Sequence, residues 1–131
     1  MRTTTIKTYK ILDGLYLQEL ARKLDTNGNI KIKYGLVFTN TIYEPKTISH
    51  WSNACNNEND RKHLAILMLK ELYPGIDLYA GAMEYDIINN AKEIKEVWED
   101  SRRWLYFDRC SADGSPDRVA FNVKGKSWTV L

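Results

Sequence analysis

The amino-acid sequence predicts one compact α+β domain over residues 1–131, with two to three helices packed on one face of a mostly antiparallel sheet of about four to five strands. A chain of 131 residues has the length of a single domain. Apolar residues make up 44% of it, enough for a core that needs no metal or disulfide framework. Segments with a two-residue apolar period alternate with segments of helical period, and the predicted order is β-α-β-α-α-β-β.

The N-terminal third is predicted to hold two strands with a helix between them. Residues 3–12 are rich in β-branched and aromatic side chains, which favours a strand that ends at Asp13-Gly14. A hairpin at Asp13-Gly14 is one continuation, but we favour a helix capped by Asp13, because apolar residues recur at helical spacing. These residues are Leu17, Leu20, Ala21 and Leu24. Residues 30–38 then alternate with period two and predict a strand.

The middle of the chain is predicted to contain a long connection and two helices. Residues 39–57 show no periodicity, and so long a connection is often functional. An amphipathic helix from Asn59 to Leu72 ends before Tyr73-Pro74-Gly75, because proline cannot continue the hydrogen-bond ladder. A second helix over residues 83–98 has one apolar face, and its acids are expected to face solvent. That face comprises Met83, Ile87, Ala91, Ile94 and Trp98, and the acids include Glu84, Asp86, Glu93 and Glu96.

The C-terminal third is predicted to be a meander of two or three strands. Residues 103–109 are apolar on both alternating sets, as in a central strand, and residues 118–124 and 127–131 supply its neighbours. The periodic apolar positions of all these elements are expected to share one core. They are Leu17, Leu20, Leu24, Leu64, Leu67, Met68, Leu72, Ile87, Ile94 and Trp98, together with Ile32, Phe107 and Phe121.

Charge and composition bear on the source and compartment of the protein. Residues 1–50 carry eight basic and four acidic side chains, whereas residues 84–100 carry two and six, although the whole chain is only +2. Lys, Asn, Ile and Tyr outnumber Gly, Ala, Arg and Pro, which indicates an AT-rich gene. No signal-peptide core or membrane-length apolar run is present. We expect a cytoplasmic protein of a low-GC bacterium, or of a host cell if the gene belongs to a phage.

No constellation of residues predicts catalysis, a metal or a cofactor. His50, Cys55 and His63 lack the paired spacing of structural zinc ligands, and no glycine pattern forms a phosphate cradle. Cys55 and Cys110 are expected to remain unbridged and to react slowly with thiol reagents. The enzymatic alternative is a Cys110 or Cys55 nucleophile activated by His63 and oriented by Asp108 or Asp60, but neither cysteine lies in a recognisable local signature.

The favoured function is a small non-enzymatic module that binds another protein. Tyr43, His50 and Trp51 are the predicted contact residues, because they lie in the long connection and exposed aromatic rings are common interface anchors. Small stand-alone proteins of this kind are frequent among phage and mobile-element accessory proteins that inhibit a host enzyme or defence system. The sequence leaves the partner and the oligomeric state open.

The alternative function is binding of single-stranded nucleic acid on a basic sheet face. Lys31, Lys33, Arg118 and Lys124 are the predicted contacts, with Trp104 or Tyr106 as a stacking ring if either ring shares that face. The acidic helix expected over residues 84–100 argues against this function, because it would repel phosphates. We therefore expect no tight binding of random nucleic acid at physiological ionic strength.

Overall fold

The computed structural model describes residues 7–41, 46–76, 91–110 and 116–130, which form two four-stranded antiparallel sheets and one helix. The N-terminal sheet has the order β1-β2-β3-β4 and the C-terminal sheet the order β5-β6-β7-β8. The strands are β1 Lys7–Leu12, β2 Leu15–Leu24, β3 Ile30–Phe38, β4 Lys46–Asn53, β5 Ala91–Glu99, β6 Arg102–Cys110, β7 Pro116–Asn122 and β8 Ser127–Val130. The helix is α1 Glu58–Leu72, and it lies between β4 and β5 in the chain.

The predicted α+β class is therefore wrong, because the described chain is mostly β. Eight strands in two sheets replace the expected single sheet, and one helix replaces the expected two to three. The strands predicted over residues 30–38 and 103–109 are confirmed as β3 and β6. The strands predicted before Asp13 and at the C-terminal end also form, with shifted boundaries.

The helix predicted after Asp13 is the strand β2, and Asp13-Gly14 is the hairpin turn between β1 and β2. A β-bulge between Glu19 and Ala21 breaks the two-residue alternation of β2. Before the bulge Leu15 and Leu17 are buried, whereas the side chain of Leu20 lies over Gly35 on the opposite face. The shift in alternation produced the apparent helical spacing.

Two further elements differ from the prediction. Part of the connection expected over residues 39–57 is the strand β4, which pairs with β3 along its full length. Part of the helix expected over residues 83–98 is the strand β5, and residues 77–90 lie outside the described part of the chain. On β5, Ile94 and Glu96 are both buried, so the expectation that Glu96 faces solvent is also wrong.

The predicted helix between Asn59 and Leu72 is confirmed as α1. Asn57 is its N-cap, and its side chain accepts a hydrogen bond from the backbone N–H of Asp60 at 2.8 Å. The helix crosses one face of the N-terminal sheet, since the Arg61 guanidinium lies 4.4 Å from the Tyr9 ring on β1 and Glu71 contacts His50 on β4. We call this face, which carries the core residues of the sheet, the inner face, and the other the outer face.

The two sheets meet where β5 passes the hairpin turn between β1 and β2. The backbone N–H of Asp13 donates to Lys92 O and that of Ile94 donates to Asp13 O, both at 2.9 Å. The N–H of Glu96 donates to Asn40 O at 2.6 Å. These bonds fix β5 against the N-terminal sheet, so that the inner faces of both sheets and α1 contribute to one apolar cluster.

The core contains only part of the predicted set. Buried members are Leu17, Ile32, Met68, Ile94, Phe107 and Phe121, and Leu64 and Leu72 pack against them while partly buried. Four predicted members are instead exposed: Leu20, Leu24, Leu67 and Trp98. Ile87 lies outside the described residues. The exposed leucines contribute apolar surface instead of core packing.

Candidate functional site

A groove of about 460 Å³ lies between α1 and the end of β4, and we call it the α1–β4 groove. Leu64, Leu67 and Met68 line it from the helix, and polar side chains of β3 and β4 line the other side. A second cavity of about 380 Å³ continues past Leu64 and Leu67 toward the start of α1. The two cavities share Ser52 and Asn53, so they form one surface depression along the helix.

Exposed apolar side chains surround this depression. Leu67 is 61% exposed although it lies where the two cavities meet. Leu24 and Ile30, directly paired at the adjoining end of β2 and β3, are 69% and 52% exposed. Large apolar groups clustered at the surface mark a surface for interaction.

His50 lies on the rim of the groove. Its Nε2 atom is 2.6 Å from Glu71 Oε1, so the imidazole connects the edge strand β4 to α1. His50 pairs across the strands with the buried Tyr34, which places it on the inner face. Of the predicted contact residues, His50 therefore borders the groove.

Trp51 lies on the other face of the same strand, because successive strand residues point to opposite faces. Its side chain is 42% exposed, and the Lys23 ammonium lies 4.2 Å from the ring centroid. Trp51 borders the α1–β4 groove, and alternation along β4 places its side chain on the outer face with Lys23, Lys31 and Lys33. Tyr43, the third predicted contact, lies outside the described residues.

The four cations predicted to contact nucleic acid do not share one face. Lys31 and Lys33 are on β3, whereas Arg118 is on β7 and Lys124 follows it in the C-terminal sheet. The Arg118 Nε atom is 2.6 Å from Asp108 Oδ1, and its guanidinium lies 5.5 Å from the Tyr106 ring. Neither Trp104 nor Tyr106 accompanies the lysines of β3, since both rings are on β6.

The residues of the enzymatic alternative do not form an activated thiol. Cys55, Asp60 and His63 line the same cavity, but Cys55 is a free thiol whose pKa is raised by burial, the opposite of what a nucleophile needs. The side chain of Cys110 lies outside the described structure. Within the described residues, no group of three His, Cys, Asp or Glu side chains is placed to hold a metal ion.

A buried polar cluster is present that the sequence did not reveal. Glu96 is 3% exposed, and the Tyr73 hydroxyl donates to its Oε2 atom at 3.0 Å. The Arg103 Nε atom is 3.9 Å from the same oxygen. This cluster joins the end of α1 to β5 and β6 inside the core, so its contacts are structural.

The chain matches no family model, no curated protein and no solved structure. Its function must accordingly be inferred from its own surfaces. In the described part of the chain, no helix has both the length and the apolar character required to cross a membrane.

Two buried tyrosines predict a loss of stability in alkali. Burial raises the pKa of Tyr34 to about 12, and burial beside Glu96 also raises that of Tyr73. Both phenols ionise near pH 10 in the unfolded chain, so the free energy of unfolding is at its full value below about pH 10 and falls as pH rises toward 12. Each phenol lowers the free energy of unfolding by up to about 1.4 kcal/mol per pH unit in this range.

Urea unfolding at about pH 9 and pH 11 measures this slope. We expect Tyr34→Phe and Tyr73→Phe each to reduce the pH dependence, although each also lowers stability at neutral pH by removing a hydrogen bond. An unchanged slope in both variants would show that these phenols ionise as readily in the folded protein as in the unfolded chain.

Proposed function

We propose that this chain is a non-enzymatic module that binds a protein partner through the α1–β4 groove. The exposure of Leu67 where two surface cavities meet is the observation that supports it. Burying this side chain and its apolar neighbours under a partner removes apolar surface from water, which favours association. His50, Glu71 and Lys31 form a polar rim around the apolar centre, as protein interfaces do.

The edge strand β4 offers a second means of attachment. Among the described strands β4 pairs with β3 alone, and we propose that an extended segment of a partner pairs with its other edge. Leu67 lies across the groove from this edge and supplies a position for an apolar side chain of such a segment. The proposed contact therefore combines main-chain pairing with an apolar anchor.

The proposed setting is the cytoplasm of a low-GC bacterium, or of a host cell for a phage-encoded chain. The codon-related composition and the two cysteines without a paired motif support it. There we propose that the module acts as an accessory protein that inhibits a host enzyme or defence system by contact. Such inhibition requires a binding surface and no catalytic site. We propose the α1–β4 groove as that surface.

Leu67→Asp is expected to weaken the affinity for the partner by about 30-fold or more, because a carboxylate would be desolvated at the centre of the contact. The free energy of unfolding should change by less than about 0.5 kcal/mol, since Leu67 is largely exposed. Trp98→Asp is the matched control, because Trp98 is a 53% exposed apolar residue on the other sheet.

The partner is captured by a photoreactive side chain placed at position 67 or, as a control, at position 98, in extract of the source cells. A protein cross-linked from position 67 alone, unaffected by nuclease, supports the proposal. Equal cross-linking from both positions, or loss of the product after nuclease treatment, contradicts it. Purified partner then gives the affinities of the two aspartate variants.

A further inference from the structure

The outer face of the N-terminal sheet is polar, basic and without acids. Alternation along β1 to β4 places fifteen described side-chain positions on this face, and none of them is Asp or Glu. The positions are Thr8, Lys10, Tyr16, Gln18, Leu20, Ala21, Lys23, Lys31, Lys33, Gly35, Val37, Thr47, Ser49, Trp51 and Asn53. The acids of β2 and α1 therefore lie away from this face, although Asp13 of the hairpin turn pairs with Lys10.

Three lysines and a tryptophan form a compact group on this face, and we call Lys23, Lys31, Lys33 and Trp51 the lysine patch. Lys23 is directly opposite Lys31, and Lys33 is directly opposite Trp51. Directly paired residues have Cβ atoms about 5 Å apart, and Lys31 and Lys33 follow each other along β3 at roughly 7 Å. The patch thus presents three ammonium groups around one exposed indole.

The lysines of the patch repel one another across the strands, and the Asp25 carboxylate, which interacts electrostatically with Lys31, offsets part of that repulsion. Like charges directly opposite in an antiparallel pair destabilise the sheet, and Lys23 opposite Lys31 is such a pair. Lys31 also donates to the Asn53 amide oxygen, and Lys23 lies over the Trp51 ring. An anion bound between the strands would relieve this repulsion.

We infer that the lysine patch is a binding site for single-stranded nucleic acid. Such a ligand carries an anionic group and a flat ring in every repeating unit, which matches the three lysines and the Trp51 ring. A base must be unpaired to stack on an indole, which selects single strands over duplexes. The hydroxyl and amide side chains of Ser49, Asn53 and Gln18 add hydrogen-bonding groups beside the ring.

Among the described residues, the acids that argued against nucleic-acid binding lie on the C-terminal sheet. Residues expected to form an acidic helix include Glu93, Glu96 and Glu99, which lie on β5 of the other sheet. Glu96 is buried and does not face solvent. The junction of the sheets is near Asp13, whereas Lys31 lies toward the opposite end of β3. This inference does not require a protein bound at the α1–β4 groove: Lys31 and Trp51 border that groove, but Lys23 and Lys33 do not line it.

Binding of a labelled oligothymidylate of about 20 nucleotides, followed by fluorescence anisotropy, tests the inference. Three neutralised phosphates on a single strand predict that affinity falls about 20-fold between roughly 50 and 200 mM salt. Lys31→Glu/Lys33→Glu should weaken binding by at least tenfold. Lys124→Glu, a charge reversal on the other sheet, should change it less than twofold. Lys31→Gln/Lys33→Gln should also weaken binding. This variant replaces Lys31→Glu/Lys33→Glu in the test if the charge reversal prevents folding.

The aromatic part of the site is tested separately. Trp51→Ala should weaken binding by at least fivefold, Trp51→Phe should restore most of that loss, and Trp98→Ala should leave affinity within twofold. Absence of binding at low salt overturns the inference, as does an equal loss with Lys124→Glu. Polyglutamate binding as tightly as the oligonucleotide, with no effect of Trp51→Ala, also overturns it, because the patch would then be a general site for acidic chains. Unchanged binding in Leu67→Asp separates this site from the groove.

Discussion

Gly14→Ala is expected to lower the free energy of unfolding by about 3–5 kcal/mol. Gly14 has φ +90°, and an added Cβ would lie 2.4 Å from Ile94 O and 2.7 Å from the Asn40 side-chain nitrogen. Both contacts are at the junction between the two sheets, where a main-chain bond holds Ile94 to Asp13 and the Asn40 side chain donates to Ile94 O at 3.3 Å. The substitution therefore forces β5 away from the hairpin turn.

Gly28→Ala is the matched control for backbone strain alone. Gly28 also has a positive φ, +80°, in the turn between β2 and β3, but no atom lies within 4 Å of an added Cβ. Its cost should be about 1–2 kcal/mol, the penalty of the left-handed conformation. Urea denaturation of both variants gives the two values. Similar losses at Gly14 and Gly28 would show that the junction is not tightly packed.

Sequence periodicity predicted the elements whose alternation is uninterrupted. On β3 the residues from Ile32 to Phe38 alternate without a break, and α1 has a clear cap at Asn57 and a clear end at Pro74. On β2 the bulge next to Leu20 shifts the inward positions by one residue, so no single period describes the strand. A helix and a bulged strand of ten residues give similar apolar spacing, and only pairing with a partner strand separates them.

The strand β5 was missed for a different reason. One of its two buried inward positions is Glu96, so the pattern of apolar residues lacks a member where the strand needs one. From the sequence alone, a carboxylate in that position indicates a solvent-facing residue, because the groups that bind it in the folded protein are not known. Those partners, Tyr73 and Arg103, come from α1's C-terminal end and from β6, and sequence spacing does not show that they meet.

The candidate surfaces were predicted in part. Sequence reasoning selected His50, Trp51, Lys31 and Lys33, all of which lie on β3 or β4. It grouped them incorrectly, because residues 39–57 were read as a connection and the opposite orientations of His50 and Trp51 follow only from a strand. Lys23 was missed, since a helix was expected there. With the strand register known, it joins Lys31 and Trp51 on one face.

The two proposed sites use opposite faces of one sheet, and this separation gives the variants distinct expected effects. The α1–β4 groove depends on Leu67 of the helix, whereas the lysine patch depends on outward side chains of β2, β3 and β4. Lys31 and Trp51 border both sites, whereas Leu67 belongs only to the groove and Lys23 only to the lysine patch. A ligand on either site stabilises the folded sheet by mass action, because neither surface exists in the unfolded chain.

Glu96→Ala should lower the free energy of unfolding by about 3–5 kcal/mol. The carboxylate accepts the Tyr73 hydroxyl at 3.0 Å and lies 3.9 Å from Arg103 Nε, and it is almost fully buried. Removing it takes this acceptor from the Tyr73 hydroxyl and this carboxylate from Arg103, and both the lost attraction and the cavity destabilise the core. Glu96→Gln keeps the volume and one acceptor, so its cost should be smaller, about 1–2 kcal/mol.

The contribution of the hydrogen bond itself is obtained from a double-mutant cycle with Tyr73→Phe. Tyr73 also packs edge-on against Phe38, with ring centroids 6.0 Å apart, and phenylalanine preserves that contact while removing the donor. We expect a coupling of about 0.5–3 kcal/mol between Glu96→Ala and Tyr73→Phe, measured by urea unfolding near neutral pH. A cost of Glu96→Ala below about 1 kcal/mol, or additive effects of the two substitutions, would mean that Glu96 is hydrated in the folded protein. In that case the end of α1 would be held to the C-terminal sheet by apolar packing alone.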